Sequence, residues 1–232
     1  MARISVIVPT LNEASAIAAA LSPLQAWRAA GHEIIVVDGY SADATKDFAS
    51  PLADQCIVAG PGRAAQLNAG ANIAHGSLLL FLHADTSLPP NALATLTALS
   101  RERTALWGRF DVSLAAPGFA YRVIETMMNL RSRMTGVATG DQALFVTRSL
   151  FERVGGYPPI ALMEDIALSK GLRREQWPRC LRSRVRTSAR RWQRDGIVRT
   201  VIMMWGLRCA YFCGVSPVRL QAVYERKSGD AI

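Results

Sequence analysis

Asp85 ends a very apolar segment, residues 78–84, in which His83 is the one polar side chain. A carboxylate at the end of a buried strand is costly unless a cation or hydrogen bonds compensate its charge. A hard divalent cation, Mg²⁺ or Mn²⁺, that bridges the carboxylate to a diphosphate would provide this compensation. A helix-capping or loop aspartate explains the residue equally well. Asp85 alone therefore leaves both interpretations open.

Two further acids follow apolar runs near the N-terminus. Asp38 comes directly after residues 34–37, and its carboxylate could accept hydrogen bonds from a base or a ribose. Glu13 follows residues 9–12 and could accept from a ribose hydroxyl or hold an arginine. The alternatives are an ordinary Asp-Gly turn at Asp38 and, for Glu13, a favourable charge at the start of a helix.

The segment 60–63, Gly-Pro-Gly-Arg, opens a predicted helix that also carries Asn68. Glycines allow the backbone to approach a ligand closely, and Arg63 could reach a phosphate. The segment is neither a Walker A motif nor a GxGxxG fingerprint. A glycine turn with a surface arginine remains the alternative.

The adjacent acids Glu164 and Asp165 begin another predicted helix. Asp165 could act as a general base that takes the proton of an attacking hydroxyl. Paired acids in a first helical turn often only complement the helix dipole. Earlier in the chain, Gly140, Asp141 and Gln142 either line an acceptor pocket or form a plain turn.

Arginine dominates the positive charge of the chain. The net charge is +9, and residues 173–199 contain ten arginines but only two acids. Two of these arginines, at 190 and 191, stand beside Trp192 and could clamp a diphosphate, because a guanidinium donates two parallel hydrogen bonds. The charge favours an anionic partner, which could be a nucleotide, a nucleic acid or an acidic membrane surface.

Strand-like and helix-like segments alternate over the first hundred residues, which predicts an α/β fold with a parallel sheet. Ligands bind beyond the carboxyl ends of the strands in such sheets. The predicted strands are 4–8, 34–37, 56–58 and 78–82, and the predicted helices are 14–30, bent or broken at Pro23, 63–74 and 91–100.

The second half is less regular, and it contains no repeat or low-complexity linker. We therefore expect a single domain over residues 1–232, with a donor-binding half to about 100, an acceptor half to about 195 and a helical end. The predicted strands are 105–114, 143–146 and 180–187, and the predicted helices are 119–134, 148–154, 164–174 and 195–212.

The bulk composition excludes a disordered chain, because half of the residues are hydrophobic and only 19% are charged. Four cysteines without CxxC spacing predict reduced thiols in a cytoplasmic protein. We find neither a signal peptide nor an uninterrupted membrane span. The last predicted helix carries aromatic residues and arginines, so it either packs on the domain or lies on the inner membrane surface.

The order of these motifs resembles the family 2 glycosyltransferases of the GT-A fold, a Rossmann-like, mostly parallel sheet flanked by helices. The resemblance extends over residues 4–192. The particular forms at 83–86, 140–142 and 163–166 are similar to a bacterial subgroup assigned to arsenosugar biosynthesis. Members of the family usually invert the anomeric centre, use Mg²⁺ or Mn²⁺, and often take UDP-sugars.

The resemblance also implies roles for individual residues. Asp85 would bind the metal, with His83 in the position of the usual first acid, which would either weaken metal binding or shift the preference toward a softer ion that accepts imidazole. Asp165 would be the catalytic base, with Glu164 beside it. Donor binding would fall to Pro9, Thr10, Glu13, Asp38, Arg63, Asn68, Ala84, Arg191 and Trp192, and the acceptor would meet Gly140, Asp141 and Gln142. The Arg-Trp pair lacks the glutamine that usually precedes it.

Two other functions fit parts of the sequence. A basic chain rich in arginine could bind nucleic acid, although no nucleic-acid motif or aromatic platform accompanies the arginines. A nucleotidyltransferase on a related sheet would carry a glycine-rich, lysine-bearing N-terminal loop, which is missing here. We therefore expect a nucleotide-sugar donor, an unknown hydroxyl acceptor and no nucleic acid.

Overall fold

The computed structural model describes residues 3–60, 62–102 and 104–228, and it contains one eight-stranded sheet in this part of the chain. The strand order is β3-β2-β1-β4-β7-β6-β8-β5. The strands are β1 (Ile4–Thr10), β2 (Glu33–Asp38), β3 (Gln55–Val58), β4 (Leu78–Phe81), β5 (Thr86–Ser87), β6 (Trp107–Leu114), β7 (Phe145–Thr147) and β8 (Arg179–Thr187).

Helices cover both faces of this sheet. Short 3-10 helices lie at Ser22–Leu24, Ser50–Leu52 and Gly140–Gln142. The α-helices are α1 (Ile17–Leu21), α2 (Gln25–Ala29), α3 (Thr45–Ala49), α4 (Arg63–Ile73), α5 (Ala92–Ser100), α6 (Phe119–Thr135), α7 (Arg148–Arg153), α8 (Glu164–Glu175), α9 (Arg190–Asp195), α10 (Ile197–Phe212) and α11 (Pro217–Ser228).

The first four strands are parallel and pair in the order β3-β2-β1-β4. Every residue of β1, β2 and β4 is buried, as expected for strands that are covered on both faces. After β3 the chain crosses to the other side of β1, so the order reverses between β1 and β4. The carboxyl ends of these two strands therefore border the crevice in which ligands bind to open α/β sheets.

The second half completes the sheet with both strand directions. β7 is antiparallel to β4 and to β6, whereas β8 is parallel to β6 and antiparallel to β5. Six of the eight strands consequently point the same way, which confirms the predicted mostly parallel sheet. Two hydrophobic clusters fill the space on its two faces, one under α1 and α2 and the other under α4 and α8.

Most predicted elements are confirmed to within two residues, and the exceptions follow from single residues. The predicted helix 14–30 is broken at Pro23 as expected, where a 3-10 turn interrupts it, but it begins later, at Ile17. The predicted helix 195–212 is α10, which begins two residues later because Gly196 precedes it with a φ of 80°. β5, α9 and α11 were not predicted. Pro61, within the predicted glycine turn, lies outside the described residues.

No helix in the described part of the chain combines the length and the apolar character that crossing a membrane requires.

Gly70 lets α4 pack directly on the sheet. A β-carbon at this position would lie 2.5 Å from Ile7 Cγ2 and 3.0 Å from Val37 Cγ2. We expect Gly70→Ala to destabilise the protein by about 1–3 kcal/mol, because overpacking outweighs the helix preference of alanine. Chemical denaturation measures this change.

Gly171→Ala is the matched control, since Gly171 lies in α8 and a β-carbon there would approach only Val154, at 3.8 Å. We expect it to be neutral or stabilising by up to about 1 kcal/mol. Equal unfolding midpoints for the two variants would contradict the close packing of α4.

Candidate active site

Hydrogen bonds from side chains tie together the loops that follow β1 and β2. The amide of Asn12 donates to Ser41 Oγ at 2.8 Å, and the amide of Ala42 donates to Asn12 Oδ1 at 2.9 Å. Asn12 and Tyr40 both adopt left-handed backbone conformations, with φ of 54° and 67°. Asparagine tolerates this conformation better than other non-glycine residues. The loops at residues 11–14 and 39–43 are thus held against each other beside the crevice, and we call them the shelf.

Asp38 lies under this shelf with its side chain almost fully buried. Its carboxylate accepts hydrogen bonds from the amide and hydroxyl of Ser41, at 2.8 and 2.5 Å, and from Thr10 Oγ1 at 3.3 Å. These donors stabilise the buried charge. A nucleotide base that bound Asp38 would share the carboxylate with Ser41. Pro9 is buried in β1, in register with Val37.

Gln66 fixes the ends of β1 and β2 relative to each other, and nothing in the sequence singled it out. Its Nε2 donates to the carbonyls of Thr10 at 2.8 Å and Val37 at 3.0 Å. The close approach requires glycine opposite, since a β-carbon at Gly39 would lie 2.7 Å from Gln66 Nε2. The helical position of Gln66, three residues after Arg63, is the signal that could have indicated it.

Arg190 reaches across the crevice to two of the predicted acids. Its Nη2 lies 3.2 Å from Glu13 Oε2 and 3.8 Å from Asp85 Oδ2. Asp85 does not end a strand as predicted, because β4 ends at Phe81 and Asp85 directly precedes β5. Its side chain is 29% exposed, so solvent and Arg190 compensate its charge. Exposed ion pairs of this kind are weak, and an incoming anion can displace them.

The predicted donor residues Arg191, Trp192 and Ala84 all pack against other parts of the chain. The guanidinium of Arg191 stacks over the ring of Tyr224, 4.9 Å from its centroid. Trp192 packs against a hydrophobic cluster with Ile197. Ala84 is buried in the core.

A second group of predicted residues meets around a cavity of about 10 Å³, which is room for one water molecule. Tyr157 also lines this cavity, and the sequence had placed it only in a loop. The predicted residues that line it are Arg63, His83, Gly140, Glu164 and Asp165.

Asp165 is held by backbone amides at the start of α8. The amide of Gly140 donates to its Oδ2 at 3.1 Å, and the amide of Ile166 donates to its Oδ1 at 2.7 Å. Burial raises the pKa of Asp165 above its ordinary value, and these two hydrogen bonds partly oppose the shift. The carboxylate is thus a stronger base than an exposed aspartate and has a fixed orientation.

Glu164 lies beside it and is 5% exposed. Burial, followed by the charge of Asp165, raises the pKa of Glu164 to about 7, although Arg63 opposes the shift from 4.0 Å. Two adjacent carboxyl groups in a buried site resist simultaneous ionisation. Glu164 therefore keeps its proton at pH values at which an exposed glutamate has lost it.

Asn68 supports the loop that carries Tyr157. Its Nδ2 donates to the Tyr157 carbonyl at 2.8 Å, and its Oδ1 accepts from the Tyr157 amide at 2.9 Å. Burial raises the pKa of Tyr157 well above its ordinary value, with the neighbouring Glu164 and Asp165 adding to the effect, so its hydroxyl stays protonated. Asn68, which the sequence predicted to bind the donor, thus holds the Tyr157 loop in place in this structure.

The predicted acceptor residues form one turn of 3-10 helix. Gly140 contacts Asp165 through its amide, and Asp141 accepts a hydrogen bond from Thr139 Oγ1. Gln142 is fully buried, and its Oε1 accepts from the Thr139 amide at 3.1 Å. Gln142 thus shapes the turn from below, and Gly140 faces the cavity.

His83 is a neutral and closely packed side chain. Burial lowers its pKa well below the ordinary value, and the charges of Arg63 and Arg191 lower it further. Its ring presses on Gly140, where a β-carbon would lie 2.4 Å from Nε2. Within the described residues no cluster of three His, Cys, Asp or Glu side chains could hold a metal by itself. Asp85 alone fits a Mg²⁺ or Mn²⁺ ion that arrives with a diphosphate.

The raised pKa of Glu164 predicts a pH-dependent stability. Between pH 4.5 and about 7 the folded protein binds a proton that the unfolded chain releases, so the free energy of unfolding falls as pH rises through this window. We expect Glu164→Gln to flatten this dependence, because glutamine cannot ionise. Urea denaturation of both proteins at several pH values measures it, and parallel pH profiles would contradict the prediction.

Two solved structures resemble this chain closely in fold. S. aureus TarS 1–349 in complex with UDP-GlcNAc superposes with a TM-score of 0.62 at 18% identity, over 80% of this chain and 58% of that chain. The mannosyltransferase PcManGT from Pyrobaculum calidifontis, in complex with GDP-Man and Mn2+, gives a TM-score of 0.61 at 22% identity, over 89% of this chain and 64% of that one. These likenesses confirm the predicted GT-A fold.

Curated relatives match in sequence as well. A PGL/p-HBAD biosynthesis glycosyltransferase from Mycobacterium bovis is 31% identical over 164 residues, which are 66% of this chain and 62% of the relative. An undecaprenyl-phosphate 4-deoxy-4-formamido-L-arabinose transferase from Serratia proteamaculans is 29% identical over 153 residues, 60% of this chain and 46% of the relative. The chain thus spans less than two thirds of either relative.

The family model described as Glycosyl transferase family 2 matches residues 5–153, more than half of the chain. This region includes the shelf, Asp38, Gln66, Asp85 and the 3-10 turn at Gly140–Gln142. The chain therefore belongs to glycosyl transferase family 2.

Proposed function

We propose that the chain transfers a sugar from a nucleoside diphosphate donor, most simply a UDP-sugar, to an acceptor hydroxyl with inversion at the anomeric carbon. The observation that carries this proposal is the position of Asp165. Its carboxylate is oriented by Gly140 and lines a cavity with Arg63 and His83. The cavity borders the crevice between β1 and β4, where ligands of open α/β sheets bind.

The donor side of the proposal rests on the shelf and on the charges that face it. Asp38 is suited to a base or ribose, and Arg190 stands between two acids on the diphosphate side. A diphosphate would attract Arg190 away from Glu13 and Asp85, because phosphate accepts two parallel guanidinium hydrogen bonds. The solved relatives hold UDP-GlcNAc and GDP-Man, both nucleoside diphosphate sugars.

A divalent metal fits the same side of the crevice. Asp85 would hold Mg²⁺ or Mn²⁺ together with the diphosphate, and the ion would neutralise charge on the leaving group. One carboxylate with substrate phosphates is a common magnesium arrangement. In this assignment His83 is a packing residue and a neutral neighbour.

On the acceptor side, Asp165 takes the proton of the attacking hydroxyl. A carboxylate is a weak base for an alcohol, so proton transfer must accompany attack, and orientation matters more than basicity. The amides of Gly140 and Ile166 provide that orientation. Glu164 does not contact the reacting atoms in this scheme. Its proton limits the negative charge beside Asp165.

The finer assignment to the arsenosugar subgroup rests on the motifs at 83–86, 140–142 and 163–166. A cytoplasmic location with peripheral contact at the inner membrane surface is also part of the proposal. Its support is the amphipathic character of α10, which carries two arginines and no acid.

Calorimetric titration with UDP, GDP and CDP, with and without Mn²⁺, tests the donor site. We expect one nucleotide to bind more tightly with the metal, and Asp85→Ala to remove the metal dependence. Asp47→Ala, at an exposed position on α3, is the control and should bind as the unaltered protein does. If none of the three nucleotides binds, with or without metal, the transferase proposal fails.

Asp165→Asn tests the base. We expect nucleotide affinity to be unchanged and transfer to fall by about 10²–10⁴-fold, because asparagine cannot accept the proton. The readout is nucleotide release from the donor that binds, in the presence of a bacterial extract as the source of acceptor. Asp47→Asn is the matched control, and near-normal turnover of Asp165→Asn would refute the assignment.

A further inference from the structure

The outer face of α6 is a stripe of exposed apolar side chains. They recur every three or four residues, so they form one line along the helix. The members of this α6 stripe are Phe119 (84% exposed), Val123 (40%), Met127 (52%), Leu130 (54%) and Met134 (72%). Soluble monomers seldom expose a contiguous apolar surface of this kind without a partner for it.

Helix α10 carries a second stripe with the same periodicity. The members of this α10 stripe are Val198 (70% exposed), Ile202 (67%), Trp205 (58%) and Phe212 (59%), with the exposed Cys209 between the last two. The buried residues of α10, Thr200, Met203 and Leu207, lie on the opposite side of the helix. The stripe therefore faces away from the body of the protein.

The two stripes belong to neighbouring helices. Ile124 of α6 and Ile197 of α10 pack into one hydrophobic cluster. The buried residues of α6, among them Glu125 and Ser132, also lie opposite its stripe. Both helices contact this cluster and both stripes point outward, and we refer to the two stripes together as the apolar face.

Arginines border this face. At 100° per residue, Arg199 and Arg208 fall roughly a quarter turn to either side of the α10 stripe. Arg199 is exposed, whereas Nε of Arg208 is buried. Arg131 lies at the edge of the α6 stripe, on the side of α10, and its Nε and Nη2 are buried without a hydrogen-bond partner among the described residues. Residues 190–226 contain seven arginines and two acids. An apolar stripe between arginines is the pattern of a helix that lies in a bilayer interface.

We propose that α6 and α10 together dock the protein on an anionic lipid bilayer, with their apolar stripes in the interfacial layer and Arg199 at the phosphate level. Charge complementarity selects this occupant, because α10 has no acid and an acidic lipid surface attracts the exposed Arg199. The inference deepens the membrane contact proposed above for α10, to which it adds α6 and the class of lipid, and it does not depend on the transfer reaction. If both hold, Asp165 accepts hydroxyls that the membrane presents.

Vesicle co-sedimentation tests the docking face. We expect binding to vesicles of phosphatidylcholine mixed with phosphatidylglycerol at low salt, weaker binding at about 0.5 M salt, and little binding to phosphatidylcholine alone. Leu130→Glu on α6 and Ile202→Glu on α10 should each reduce partitioning at least about tenfold, since each removes a buried apolar side chain from the lipid.

Phe48→Glu is the matched control, because Phe48 is 49% exposed on α3 beside β2, near the far edge of the sheet. It should bind vesicles as the unaltered protein does. Circular dichroism checks that all three variants are folded. Equal binding of the Leu130, Ile202 and Phe48 variants, or no binding of the unaltered protein to anionic vesicles, would overturn the proposal.

Sedimentation equilibrium without lipid distinguishes another occupant. A dimer that Leu130→Glu and Ile202→Glu both dissociate, together with absent vesicle binding, would assign the face to a second copy of the chain and refute the lipid. Nucleotide titration of the same variants reports separately on the transferase proposal. Vesicle binding without nucleotide binding would sink only that proposal, and the reverse result would sink only the docking.

Discussion

The reversal of strand order between β1 and β4 is the constraint on which the site depends. Both strands are buried along their whole length, so their loops can diverge only beyond their carboxyl ends. Three parts of the candidate site lie around the loops that follow β1 and β4. They are the shelf beside β2, the Arg190 ion pairs and the cavity at Asp165. On the β2 side, Gln66 fixes the edge of the site, because one side chain bonds the ends of β1 and β2 at once.

The first half of the fold could be predicted because its strands are continuous apolar runs and its breaks are glycines and prolines. Each of those signals can be read from a few neighbouring residues in the sequence. The donor acids could be predicted for the same reason, since strand ends place them at one edge. Arg190 and Gln66 could not, because their partners lie 177 and 56 residues away along the chain. Arginine is abundant around Arg190, so composition could not distinguish it from Arg191.

The second half of the fold was harder to predict, because its sequence patterns are weak or fit more than one structure. Asp85 lies in a turn between two strands, and β5 has only two residues, too few for a period. The adjacent acids at 164 and 165 read equally as a helix start and as a catalytic pair. The structure confirms the helix start, and the first turn of α8 also supplies the amide of Ile166 that orients Asp165. The buried environment that raises their pKa values is a tertiary property.

Met163 precedes these acids with a left-handed backbone, φ 71°, which is strained for a residue other than glycine. Its side chain is held in a cluster with Met203 and Leu207 of α10. The ribosome synthesises α10 after β8, the last strand of the sheet, and chains fold largely from the N-terminus as they emerge. The four parallel strands of the first half can thus pair before α10 exists, whereas the start of α8 at Asp165 reaches its final geometry only when α10 packs against Met163.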